Sequence, residues 1–285
     1  MERQLEELAR IAIYENETIG SNIPIICAGD IFDDGWREYK CPPCLINFAI
    51  RNLPKMFGIP GQHDLVHHSL DKIKESAFWT LVEAGTIIPL MPDKPVEIFG
   101  EKVMRLHGFP WSIPVKSLEN HSNLAVEIAV VHDYIWIPGK NYAGADNKNR
   151  LKNRLKDLQG YDIAVFGDNH KGFCYKSSSK GLTVVNCGGF FRRKSDERDY
   201  EPSVWLLYYD GSVKQRKLDV GKDIFTSTKI KNKKGDTLNT KEFVKELLSL
   251  GDAAINFGEA VRQRFNDSNV SLEVQKIILE ALEGR

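Results

Sequence analysis

Four short stretches of this chain carry side chains suited to holding a cation. They are Gly29-Asp30-Ile31-Phe32-Asp33, Gly61-Gln62-His63-Asp64, His132-Asp133 and Gly167-Asp168-Asn169-His170. Each follows a brief apolar run with β-branched weight, as in Ile23-Pro24-Ile25-Ile26-Cys27 and Asp162-Ile163-Ala164-Val165-Phe166. Such runs predict buried strands. In an open α/β sheet, ligand sites lie at the carboxyl edge of the strands. Residues far apart in sequence can therefore converge there. Asp30, Gln62, His63, His132, Asp168 and His170 offer carboxylate, carboxamide and imidazole. That donor set suits a borderline first-row cation such as Mn²⁺, Fe²⁺ or Zn²⁺. A cation held there lowers the pKa of water, and a pair of them clamps the oxygens of an in-line phosphoryl displacement.

The elements that must place these groups read as strand–helix units followed by a strand-rich stretch. Leu5, Leu8, Ala9, Ala12 and Ile13 at helical spacing predict an amphipathic helix over residues 2–16. Pro42-Pro43 opens a second helix through Ile50, since a first turn tolerates proline. A strand at 55–59 precedes Gly61, and a helix is expected over 70–84. Strands are expected near 86–90, 96–99, 103–107 and 126–132, then a basic helix over 146–159 and a strand at 162–166. Residues 172–176, 182–187, 203–209 and 213–218 read as successive antiparallel strands turning at Lys180-Gly181 and Asp210-Gly211. Two stacked sheets with helices outside follow from this order. Beyond the linker-like 229–235, helices are expected near 240–250, 252–265 and 271–283.

The motifs, in their order, resemble those of the calcineurin-like metallophosphoesterase superfamily. Gly29-Asp30-Ile31-Phe32-Asp33 is similar to its Gly-Asp-x-x-Asp motif, and Gly61-Gln62-His63-Asp64 to Gly-Asn-His-Asp/Glu. His132 stands for the lone histidine after a strand, and Gly167-Asp168-Asn169-His170 for Gly-His-x-His. Asn186-Cys187-Gly188-Gly189 resembles the turn that follows the last motif. Within the superfamily the likeness is greatest to nuclease subunits of double-strand-break repair complexes and their phage-encoded relatives. The resemblance implies a four-layer α/β/β/α sandwich of two mixed sheets over residues 1–222, with residues 223–285 a linker and small helical appendage. It implies a hydrolase: a metal-dependent phosphoesterase cleaving phosphodiesters in DNA. A phosphomonoesterase or cyclic-nucleotide diesterase of the same fold is one alternative, and a non-catalytic DNA-binding or scaffold subunit another.

By the same resemblance Asp30 bridges two metals, Gln62, His132 and Asp168 complete the second site, and His170 binds the first. His63 serves as proton donor or phosphate contact, with Asp33 orienting its ring. Arg192, Arg193 and Lys194, next to the last motif, are candidates for phosphate contact. An ATPase partner subunit would dock on the C-terminal helices. The family's first motif, Asp-x-His on the first strand, is absent. Either an N-terminally shortened product or a natural variant accounts for this, and the maintained remainder of the site favours shortening. One tightly bound cation is expected in place of two. Gln62 replaces the usual Asn, and Asp168 replaces a His, which hardens the site toward Mn²⁺ or Mg²⁺.

Composition bounds these readings. Lys plus Arg (39) equals Asp plus Glu (39), so any nucleic-acid contact must come from local patches. No apolar run reaches the ~18–20 residues of a membrane span. The five cysteines, an odd number without an export signal, suggest reduced thiols and a cytoplasmic protein. Cys41-Pro42-Pro43-Cys44 lacks the second pair that a zinc site needs, so its thiols are read as helix-start residues. His67, His68 and His121 are expected in solvated loops, and His107 as a satisfied strand-end histidine. Lys148, Arg150, Lys152, Arg154 and Lys156 are expected on a solvated face beside the packed leucines 151, 155 and 158, with a grip on phosphates as the alternative.

Overall fold

The β-branched runs do form strands, and a computed structural model shows how they stack. It describes residues 2–19, 23–33, 41–119, 124–177, 181–192 and 197–223. Arg193, Lys194, His121, Lys180, the linker at 229–235 and the C-terminal helices expected after it lie outside the described residues. The elements, in order, are α1 (Glu2–Ile19), β1 (Ile25–Cys27), α2 (Pro43–Asn52), β2 (Met56–Gly58), α3 (Ala77–Glu83), β3 (Ile87–Pro89) and β4 (Val96–Ile98). There follow β5 (Val103–Phe109), β6 (Ala125–Val131), α4 (Leu151–Arg154), β7 (Ile163–Phe166), β8 (Phe173–Lys176), β9 (Thr183–Asn186), β10 (Ser203–Leu207) and β11 (Val213–Lys217). The chain is mixed α/β.

Strands β1-β2-β3 make a parallel sheet. A six-stranded mixed sheet has the order β4-β5-β6-β7-β9-β8, with β5, β6, β7 and β9 parallel and the two edge strands antiparallel. The pleat splits each strand between two environments. Ile26, Phe57 and Ile59 share one core cluster with Met104, Leu106, Val126, Ile128, Val130, Ile163 and Val165 of the larger sheet. Ile25, Cys27, Met56 and Ile87 face the other way, onto Ile46 and Ala49 of α2 and Phe78 and Leu81 of α3. Helices, the small sheet and the large sheet thus follow one another. Phe78 and Leu81 are fully buried, each stabilising by about 1.5–3 kcal/mol.

Every residue of β6 is buried, as expected of a central parallel strand. Its one charged residue, Glu127, is balanced by Arg105 Nη1 at 2.5 Å and His107 Nε2 at 2.7 Å. His107 is therefore the satisfied histidine that the sequence suggested. Helix α1 is tied down by charge as well as by Leu5: Arg3 pairs with Asp223, Glu15 with Arg216, and the Glu7 carboxylate accepts from Asp219 N. Ile13, expected on the apolar face, is exposed.

The chain divides into two units, Met1–Ile135 with Arg154–Asp223, and a second whose described residues are Trp136–Asn153. In the second, Trp136 N donates to Asn149 O, Leu151 N donates to Trp136 O, and the Arg150 guanidinium lies 5.5 Å from the Trp136 ring centre.

Three expectations need correction. The basic helix over 146–159 is a 3₁₀ turn at Asn147–Asn149 and the single turn of α4. Asp146 Oδ1 accepts from Lys148 N, and Asn153 Nδ2 donates to Asn147 O. Such side-chain bonds to the backbone compete with a continuous helix. Leu151 and Leu158 are nonetheless buried and Lys148, Lys152 and Lys156 exposed, but Arg154, expected on the same solvated face, is half-buried and paired with Asp133 and Asp157. The 70–84 helix is a 3₁₀ stretch, Leu70–Glu75, followed by α3, because Ser76 Oγ accepts from Trp79 N and starts a new helix. The strands from 172 to 218 are not one antiparallel run. β8 pairs antiparallel with β9, β9 runs parallel to β7, and β10–β11 form a separate hairpin at Asp210-Gly211.

Candidate metal centre

The carboxyl ends of β1, β2, β6 and β7 bring Asp30, Gln62, His132 and Asp168 together. Asp30, His132 and Asp168 each offer a ligand atom within 4.8 Å of the other two. Gln62 bridges them: its Oε1 lies 2.6 Å from His132 Nε2, and its Nε2 donates to Asp168 Oδ1 at 3.0 Å. Asp30 Oδ2 is 3.4 Å from His132 Nε2. Two of these residues, Asp30 (φ 57°) and Asp168 (φ 77°), hold the left-handed backbone region. Aspartate enters it more readily than most residues, and such outliers gather at functional sites.

The histidine shows whether this set fits a cation. His132 Nδ1 sits 2.6 Å from Ala28 O, so Nδ1 carries the hydrogen and donates it. In the neutral ring Nε2 then has a lone pair, and it faces the oxygens of Gln62 and Asp30. Three lone-pair donors converge with only a proton or a cation able to join them. A backbone carbonyl fixing the tautomer of a ligand histidine is a usual arrangement at metal sites. The residues present fit a divalent cation.

Electrostatics agree. Burial opposes charge on His132, but the Asp30 carboxylate outweighs it, and with Asp168 and Ala28 O the ring is pushed up to about 9. Burial also opposes charge on Asp30. His132 and His63 overcome that, and its carboxyl is held below the usual range.

Asp64, the last residue of its motif, builds the floor of the site. It is buried, with Oδ2 accepting from Asp30 N at 2.8 Å and Gly61 N at 2.9 Å, and Oδ1 from Phe32 N at 2.8 Å. One carboxylate thus joins the loops after β1 and β2. Burial and the Asp30 charge push Asp64 up to about 7, against the pull of the Gly61 and Phe32 N–H groups. Close approach also fixes Gly61, where a Cβ would collide with the Asp30 carboxylate and the His132 ring. At Gly29 (φ 97°) a Cβ would enter the His132 imidazole.

His63 lies beside this group. Its backbone N donates to Asp30 Oδ1 at 3.0 Å, and its ring is half-buried. The ring Nδ1 is buried with no hydrogen-bond partner, so Asp33 does not bond to that nitrogen; Asp33 is exposed. His170 does not join the three-residue group, and its carbonyl accepts from Gly189 N. Arg192 is half-buried. Its guanidinium donates to Asp223 Oδ2, Arg198 O and Val220 O, which commits a donor from each of its three nitrogens. Sequence reasoning gave Asp64 no role and placed His68 in a solvated loop, where it is exposed. It also missed the full role of Asn186, which is fully buried and donates to Asn169 O and Lys171 O, pinning the loop that carries Asp168. All five cysteines are unpaired thiols.

No family model matches this chain, and no curated protein matches it. Among solved structures 27 chains match. One is Thermus thermophilus sulfate thiohydrolase SoxB in complex with glycerol, 11% identical, with a TM-score of 0.45. That match covers 76% of this chain but only 42% of SoxB, so this chain spans less than half the SoxB length. A second solved chain is 13% identical with a TM-score of 0.36, covering 62% of this chain and 70% of its own. Neither fixes a reaction or substrate for this protein. Among the described residues, no helix is long and apolar enough to cross a membrane.

Proposed function

We propose that this protein is a metal-dependent phosphoesterase that hydrolyses phosphodiesters, with DNA as substrate. The observation that carries the reading is the convergence of Asp30 Oδ2 and Gln62 Oε1 on the lone-pair nitrogen of His132, with Asp168 completing the set. These four residues would hold one divalent cation, Mn²⁺ by the hardness of the two carboxylates. When bound, the cation would withdraw charge from the phosphoryl oxygens and lower the pKa of water. The remaining chemistry falls to the chain. Water attacks phosphorus and releases its proton to solvent, the bond to the leaving oxygen breaks, and protonated His63 supplies the proton that this oxygen needs. The backbone bond from His63 to Asp30 holds the donor beside the reacting group. The motif order supports the superfamily, and the likeness of Gly29–Asp33 to repair nucleases supports DNA. The full four-layer sandwich, an ATPase partner subunit docking on the C-terminal segment, and a cytoplasmic setting belong to the same reading.

The test is metal analysis of the purified chain together with hydrolysis of bis(p-nitrophenyl) phosphate and of linear duplex DNA in Mn²⁺. We expect close to one cation per chain and turnover that chelation abolishes. Asp168→Asn should weaken both. A chain that takes up no cation, or that binds one and cleaves neither diester, would sink the proposal.

A further inference from the structure

We propose that His68 is a positioning residue for His63, setting the rotation of its ring so that the proton reaches the leaving oxygen. This rests on the reading of His63 as proton donor. An acid–base histidine is usually oriented by a hydrogen bond at its second nitrogen. Here His63 Nδ1 is buried and has no such partner. What the ring does have is the His68 ring, edge to face, with centroids 6.0 Å apart and planes at 74°. Aromatic pairs favour this arrangement.

His68 is itself held. Its Nδ1 donates to the Gln62 carbonyl at 2.9 Å, on the peptide that leads into His63. Its backbone N donates to Leu65 O at 3.2 Å. The chain bends sharply here: His67 (φ 53°) and His68 (φ 52°) are consecutive left-handed residues, neither of them glycine. The left-handed region is disfavoured for any residue but glycine. The bend returns the His68 ring over the 62–63 peptide. Backbone strain of this kind persists where the surroundings hold it and concentrates at functional sites. The bland alternative is that His68 only staples the turn through Gln62 O. The two differ in what must be kept. A staple needs a hydrogen-bond donor, whereas a ring support needs a ring.

The test uses the 285-residue chain in Mn²⁺ with two diesters. One has a p-nitrophenolate leaving group, which departs without a proton, and the other has an alkoxide leaving group, which needs one. His68→Ala and His68→Asn should each lower kcat on the alkoxide substrate by about tenfold, a fraction of the ~10²–10⁴ that a positioned donor contributes. The p-nitrophenyl ester should change by less than about twofold, since it draws on no proton donor. KM and metal content should stay level. His68→Phe should restore most of the loss. In the metal-free protein, the His63 ring proton resonances should shift in His68→Ala and His68→Asn, because the neighbouring ring current is gone. Full alkoxide turnover in His68→Asn, or equal losses on both substrates, would overturn the positioning role. His63→Ala separates the two layers. A deficit there with none in His68→Ala removes His68 alone, whereas no deficit in His63→Ala removes the proton-donor reading and this inference with it.

Discussion

Replacing Asp64 tests how the site is held independently of what it catalyses. Its carboxylate accepts from three backbone N–H groups at 2.8–2.9 Å, those of Asp30, Phe32 and Gly61. Asp64→Ala leaves all three without an acceptor. A buried donor left unpaired costs about 1–3 kcal/mol, and water entering the vacated space offsets part of it, so a loss of about 3–5 kcal/mol is expected. Asp64→Asn keeps one acceptor oxygen. If that oxygen serves Asp30 and Gly61, the amide NH₂ faces the Phe32 N–H, donor against donor, for a loss of about 1–3 kcal/mol. In a unit of this size each kcal/mol moves Tm by about 2–4 °C, so the alanine variant should melt about 6–20 °C lower. The asparagine comparison also depends on pH. Burial raises Asp64 from 3.8 to about 7, so the unfolded chain ionises it first. The stability it contributes is full below 3.8 and is lost as pH rises toward 7. Asparagine does not titrate, so the gap between wild type and Asp64→Asn should narrow from pH 4.5 to pH 7 in metal-free protein. Cation affinity should fall about 10–100-fold in Asp64→Ala, as for other groups that orient ligands. Urea and thermal unfolding, with calorimetry for Mn²⁺, measure all three effects. Unchanged melting and unchanged Mn²⁺ affinity in Asp64→Ala would refute the reasoning.

Other outcomes follow from the same geometry. His63→Ala should retain its cation and lose about 10²–10⁴ in turnover of a diester with an alkoxide leaving group; equal rate on that substrate and equal metal content would remove His63 from the reaction. Proton and cation compete for His132 Nε2, a ring raised to about 9, so cation affinity should climb about tenfold per pH unit between 6.5 and 8.5. Calorimetry in buffers of differing ionisation enthalpy should show about one proton released per cation at pH 7, and none released would contradict the assignment. Gly61→Ala drives a Cβ into the Asp30 carboxylate and the His132 ring, so metal analysis should find the site empty while most of the β6–β7 core still melts cooperatively.

How far the sequence could be read depended on where each residue's role resides. β6 and β7 were legible because burial on both faces demands continuous apolar runs, and these show in one dimension. The convergence of Asp30, Gln62, His132 and Asp168 was legible because each follows such a run: β1 and β2 run parallel in the small sheet, and β6 and β7 in the large one. The 146–159 segment misled because its leucine spacing is helical while Asp146 and the asparagines at 147 and 153 hold the backbone in turns. Asp64 was given no role, and His68 only a place in a solvated loop, for a different reason. Both act on main-chain groups, Asp64 on three N–H donors and His68 on the Gln62 carbonyl. Main-chain partners are the same for every sequence, so no residue type marks them. Arg192 is the converse case: a cation next to the last of the four motifs invited a ligand role, but Asp223 and two carbonyls already take its donors. Arginine has five donors in a fixed fork, and one occupied on three sides by protein oxygens has little left to offer a phosphate. Any cationic grip on a diester should therefore be sought in side chains other than Arg192, and Arg192→Lys should cost stability through the Asp223 and Val220 contacts while leaving KM for a diester where it was.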